Sequence, residues 1–125
     1  MSEQRWWTVE EANAALPRVT AVVEETRAAA EAARDDAESV RSRVRGNGHG
    51  SPAVDLSGMR APIDALEAEG IVLRDIEQGL IDFPARTGDG RPFWLCWVVG
   101  EPEVAFWHWP EDGFAGRTPI SDLPI

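Results

Sequence analysis

At 125 residues the chain is long enough to bury one core and too short for two ordinary domains, so residues 1–125 are expected to form a single folding unit. Hydrophobic residues supply 43% of it and charged residues 27%, a globular balance that excludes a wholly disordered chain. The net charge of -10, with no lysine and arginine as the only strong cation, argues against nucleic-acid binding, because affinity for phosphate backbones comes from clustered Lys and Arg.

Met1 to Trp7 shows neither a basic start with an apolar run nor an Arg/Ser-rich leader, so no export signal is expected and the location read from the sequence is cytoplasmic. Thr8 followed three residues later by Glu11 is a capping box, which predicts a helix from about Val9. From there Val9, Ala12, Leu16, Val19, Val23, Thr26, Ala30, Ala33, Ala37, Val40 and Val44 recur at spacings of three and four, the seam of a coiled-coil-like helix. Pro17 removes one helical hydrogen bond and crowds the preceding turn, which predicts a kink or short break at Leu16. The glycine-rich stretch at 46–53 is expected to turn the chain around. Leu56, Met59, Ile63 and Leu66, closed by Gly70, predict a second, shorter arm, making 8–69 a helical hairpin.

After Gly70 the apolar period changes to two, and residues 70–109 read as a four-stranded antiparallel meander: Ile71 to Ile76, Leu80 to Ala85, Phe93 to Val99 and Val104 to Trp109. Links this short suit antiparallel neighbours and exclude parallel crossovers. Phe93 to Val99 is the longest apolar run, far below the roughly 20 residues of a membrane helix, so no membrane association is expected. It contains the only cysteine, Cys96, which excludes an internal disulfide. The tail, 110–125, is rich in Pro and Gly and is expected to wrap irregularly. The fold class is therefore α+β, a long N-terminal helical hairpin packed on the meander.

Two features point to assembly. A helix from Pro17 to Arg45 would span roughly 43 Å, about twice the strands beside it, leaving part of its seam without a partner in the chain. In the third strand neither alternating face is polar, so both need cover. A homodimer through the long helix, the second sheet face or both is the expected assembly, with a different protein's helix as another occupant of the seam.

The strings WWTVEEANAALPRV, VLRDIEQGLIDFPA, WLCWVVGEPEVAFWH and GFAGRTPI, in that order, resemble the bacterial and archaeal domain-of-unknown-function 2203 family over nearly the whole chain apart from the 46–52 loop. The resemblance implies a small helical-hairpin-plus-sheet protein and carries no activity. Family-typical positions as they stand here are Asp75, Gly79, Asp82, Phe83, Pro84, Cys96, Trp97, Gly100, Glu101, Trp107, His108, Gly113, Phe114, Gly116 and Arg117. Val98 and Val99 depart from the polar or basic residue the family carries between Trp and Gly.

Polar residues interrupting an apolar sheet are the candidates for chemistry, because a buried carboxylate or imidazole is costly unless paired. Asp82, His108 and Arg117 form the candidate catalytic set, Asp82 and His108 as an acid-base pair and Arg117 holding an anionic substrate. Asp82 and His108 are also the candidate ligands of a divalent metal, the one cofactor considered, although their spacing matches no specific metal signature. Asp75, Glu101, Trp97 and Trp107 are candidate ligand-binding residues. Strand parity places His108 with Val104 and Phe106, away from Glu103. Register is not fixed by sequence, so Asp82 could take either face, and Asp82 with His108 is the favoured pairing. Cys96, flanked by tryptophans, reads as a small core residue before it reads as a nucleophile. The competing reading of the whole polar set is structural: Arg117 pins Asp82 or Glu101, and His108 satisfies a backbone carbonyl. On balance the sequence favours a non-catalytic interaction or scaffold protein that self-associates, with a small enzyme or ligand- or metal-binding protein, its site around Asp82, Glu101, His108 and Arg117, as the alternative. Whether the chain is an enzyme stays open.

Overall fold

The computed structural model describes residues 4–43 and 57–123, without the side chains of 36–43 and 57. The elements in chain order are α1 (Val9–Arg43), a 3-10 turn (Ser57–Met59), α2 (Arg60–Ala68), β1 (Val72–Asp75), β2 (Leu80–Arg86), β3 (Pro92–Val98), β4 (Phe106–His108) and β5 (Thr118–Pro119). The fold is α+β: one long helix, one short helix and a five-stranded antiparallel sheet in the order β1-β2-β3-β4-β5.

The helix begins where the capping box places it. Thr8 Oγ1 accepts the Glu11 N–H and Glu11 Oε1 accepts the Thr8 N–H, both at 3.1 Å, so two donors that a helix start leaves unpaired are satisfied reciprocally. Ala12, Leu16, Val19, Val23, Thr26 and Ala30 are buried, so the seam faces the sheet over these positions. Of the kink or short break expected at Leu16, the break is absent: the helix is continuous through Pro17, which lies exposed while the seam residues on either side of it are buried. That packing offsets the roughly 3 kcal/mol a mid-helix proline costs.

The expected hairpin is not matched. The turn at 46–53 lies outside the described residues, and α2 has only nine residues, of which Leu66 alone is buried. It is a short prop rather than a second arm. Pro62 sits in its first turn, where no intrahelical N–H bond is lost. Four strands become five, because the tail returns through a 3-10 turn at Phe114–Gly116 and pairs Thr118 and Pro119 with Trp107 and Phe106. A free edge of β4 would leave unpaired backbone groups, and the tail supplies partners for them.

The sheet has two faces of different character. Ile81, Phe83, Ala85, Phe93, Leu95, Trp97 and Trp107 point at α1 and form one core with Trp7, Leu66, Ile71 and Val104. Gly79, in the β1–β2 turn, lets the backbone pass against that core: its φ is +68° and a Cβ there would come within 2.4 Å of the Val99 side chain, so no other residue fits without displacement. The opposite face carries Asp82, Cys96, Trp94, Phe106 and His108. Val104 belongs to the helix-side core, not with His108 as parity suggested, because regular β4 pairing starts only at Phe106 and the chain before it does not alternate.

Candidate functional site

Register decides which side chains meet on the outer face. Asp82 on β2 faces Cys96 on β3, Cys96 faces Phe106 on β4, and Trp94 faces His108. Directly opposed residues share a face, so Asp82, Cys96 and His108 stand together. Asp82 and His108 lie on strands separated by β3, about 10 Å apart at ordinary strand spacing. They meet over Cys96, whose side chain is short enough to pass beneath them. The His108 Nε2 lies 3.1 and 3.2 Å from the two Asp82 carboxylate oxygens. All three residues are buried.

Hydrogen-bond partners constrain where protons sit in this cluster. The His108 Nδ1 lies 2.8 Å from the Trp109 carbonyl oxygen, which can only accept, so Nδ1 carries a proton. Burial alone would lower the pKa of His108, but the hydrogen bonds to Asp82 and to the Trp109 carbonyl outweigh it and hold the imidazole above its ordinary 6.5. The Nε2 faces both Asp82 oxygens at hydrogen-bond distance, so one proton is shared across that contact. Arg74, on β1, adds a second cation: its Nε donates to Asp82 Oδ2 at 3.0 Å while its guanidinium stacks 4.7 Å from the Trp94 ring. Burial, and then the negative charge of Asp82, pushes the Cys96 thiol up to about 12, so it is a neutral thiol rather than a thiolate nucleophile.

A second polar group lies beside the first. Arg117 places NH2 2.7 and 3.0 Å from the two Glu101 oxygens and 3.4 Å from the Cys96 carbonyl oxygen. Glu101 Oε1 also accepts the Val98 N–H at 2.7 Å, which closes the turn after β3. The Arg117 guanidinium lies over the Phe106 and Phe114 rings at 4.1 and 4.9 Å. The tail is thereby pinned to the sheet by Glu101, and Arg117 does not reach Asp82 in a direct ion pair.

The expected site residues thus fall into separate places. Asp82 and His108 come together, and Arg117 and Glu101 come together as a neighbouring pair. Asp75 closes the β1–β2 turn by accepting the Gln78 N–H at 3.1 Å, away from the cluster's polar contacts. Trp97 and Trp107 point into the helix-side core, Trp97 donating its indole N–H to the Glu101 carbonyl at 3.0 Å and Trp107 packing edge-on against Phe93. They do not line a pocket with Asp82 and His108. Arg74 is the partner that sequence reasoning missed, although the alternation of Val72, Leu73, Arg74 placed an arginine on one face of an edge strand. The ligand potential of Cys96 was also missed, since its convergence with Asp82 and His108 needs the register.

Residues 5–120 match the profile of a family described as "Uncharacterized conserved protein (DUF2203)". No curated protein and no solved structure matches the chain.

Proposed function

This chain belongs to the DUF2203 family, and on that premise we propose that it works by assembly rather than catalysis, as an interaction protein that self-associates through α1. The observation that carries this reading is that the candidate catalytic groups are already engaged with one another. His108 uses both ring nitrogens, Asp82 meets Arg74 and His108, Glu101 holds Arg117 and a backbone N–H, and the Cys96 thiol is protonated. A general base needs a lone pair within reach of a substrate proton, and Asp82 and His108 are buried with their polar atoms turned toward one another. The alternative, a small enzyme with Asp82, Glu101, His108 and Arg117 as one site, fits less well because these four divide into two internal pairs.

The length of α1 supports self-association. Its 35 residues span about 52 Å, whereas the seven residues of β2 span about 23 Å. Arg34 already pairs with Glu77 in the β1–β2 turn at 2.8 Å, and the helix runs on to Arg43. The seam spacing continues in the sequence through Ala37 and Val40, and a second copy of the helix is its economical partner. Sedimentation velocity across a concentration series tests this. A dimer is expected, with Val40→Glu, at a seam position by its spacing, shifting it to monomer while far-ultraviolet circular dichroism stays that of the parent. A protein that stays monomeric at the highest concentration overturns the reading.

A further inference from the structure

The Asp82, Cys96 and His108 side chains offer a carboxylate oxygen, a thiol sulfur and an imidazole nitrogen, all within 4.8 Å of one another. We propose that these three residues bind one thiophilic divalent cation, of the zinc class, as a staple across β2, β3 and β4. This does not depend on the assembly reading.

Four observations converge on it. The donor set mixes nitrogen, sulfur and oxygen, which suits zinc and its neighbours and not magnesium or calcium, whose shells are built from oxygens. Bonds of about 2.0–2.3 Å put tetrahedral ligand atoms about 3.3–3.8 Å apart, and the His108 to Asp82 separation of 3.1 Å is already close to that spacing. The His108 Nδ1–H is held by the Trp109 carbonyl at 2.8 Å, the outer contact that fixes a ligating histidine with Nε2 facing the metal. Arg74 engages Asp82 Oδ2, which steadies the carboxylate and leaves Oδ1 for the cation. In the metal-free protein the Nε2 proton and the thiol proton occupy the cluster, and both leave as one cation enters. Among the described residues no fourth His, Cys, Asp or Glu joins the group, so the fourth position falls to a water. Arg74 is a positioning residue in this arrangement.

The test is titration of the chelator-treated full-length protein with Co2+, followed by ultraviolet and visible absorption, with Zn2+ stoichiometry by native mass spectrometry. One equivalent of Co2+ should produce a thiolate-to-cobalt charge-transfer band and the intense visible bands of a four-coordinate ion, and Zn2+ should displace it. Cys96→Ala should abolish the charge-transfer band while far-ultraviolet circular dichroism stays that of the parent. Arg74→Gln should keep the band and weaken binding by about 10–100-fold, the range for loss of an outer-shell contact. Absence of the band at excess Co2+ in folded protein overturns the proposal. So does Co2+ affinity that Cys96→Ala leaves unchanged, which would place binding at surface carboxylates.

Discussion

The two faces of one sheet are held by different physics. The face toward α1 is a continuous apolar core, with Phe83 and Ile81 fully buried and Trp7 edge-on against Phe83 at 5.3 Å. The outer face buries Asp82 and His108 beside Arg74 and Trp94, next to Arg117 and Phe106. Apolar packing is non-directional and tolerates rearrangement, so the helix face depends on volume. The outer face depends on partners: each charge is tolerable only while its counter-charge is present. A single deletion on one face leaves a cavity, and on the other it leaves an orphaned ion.

Three experiments sharpen that contrast, all on chelator-treated protein followed by chemical denaturation. Phe83→Ala should cost the most, about 3–5 kcal/mol, because it removes a fully buried ring from the helix-side core. His108→Ala should cost about 3 kcal/mol, chiefly because Asp82 is left with a buried charge that only Arg74 answers. The diagnostic is the double variant: Asp82→Leu with His108→Leu should cost less than either single change, since the pair is removed together. Additive costs at these two positions would show that the outer face is held by packing after all.

The smallest effect is on pH dependence. His108 has a folded pKa above its unfolded value of about 6.5, with Asp82, Arg74 and the Cys96 thiol as the groups facing it. A raised folded pKa means the native state binds the proton more tightly. The resulting stability is fully present below about pH 6.5 and is lost as pH rises through the folded pKa. The parent should therefore weaken on going alkaline, and His108→Ala should lose that slope. A parent whose stability rises across that window would mean that the imidazole is buried neutral.

How much of this was legible in the sequence differs between the same two faces. The cap at Thr8 and Glu11, the seam from Ala12 to Ala30 and strands β2 and β3 are local or strictly periodic, so residue order was enough to find them. The pairing of Asp82 with His108 was favoured from the sequence while the face of Asp82 stayed open, and its geometry was not legible. It depends on a register that places Cys96 between them, and a slip of one residue would move every side chain to the other face. Parity also misplaced Val104, because alternation holds only inside paired strands. Arg74 was missed for a related reason: being polar says nothing about which partner a residue meets across the sheet.

By itself, then, residue order determined the class of the fold, an α+β chain with one long helix ahead of an antiparallel sheet, because capping, helical spacing and period-two alternation act over a few residues. Tertiary structure alone decided that the tail adds a fifth strand and that α2 is a prop rather than an arm. It also decided that Asp82, Cys96 and His108, from three different strands, converge. Those outcomes rest on contacts between residues far apart in the chain, where burial and pairing of charges outweigh any local preference.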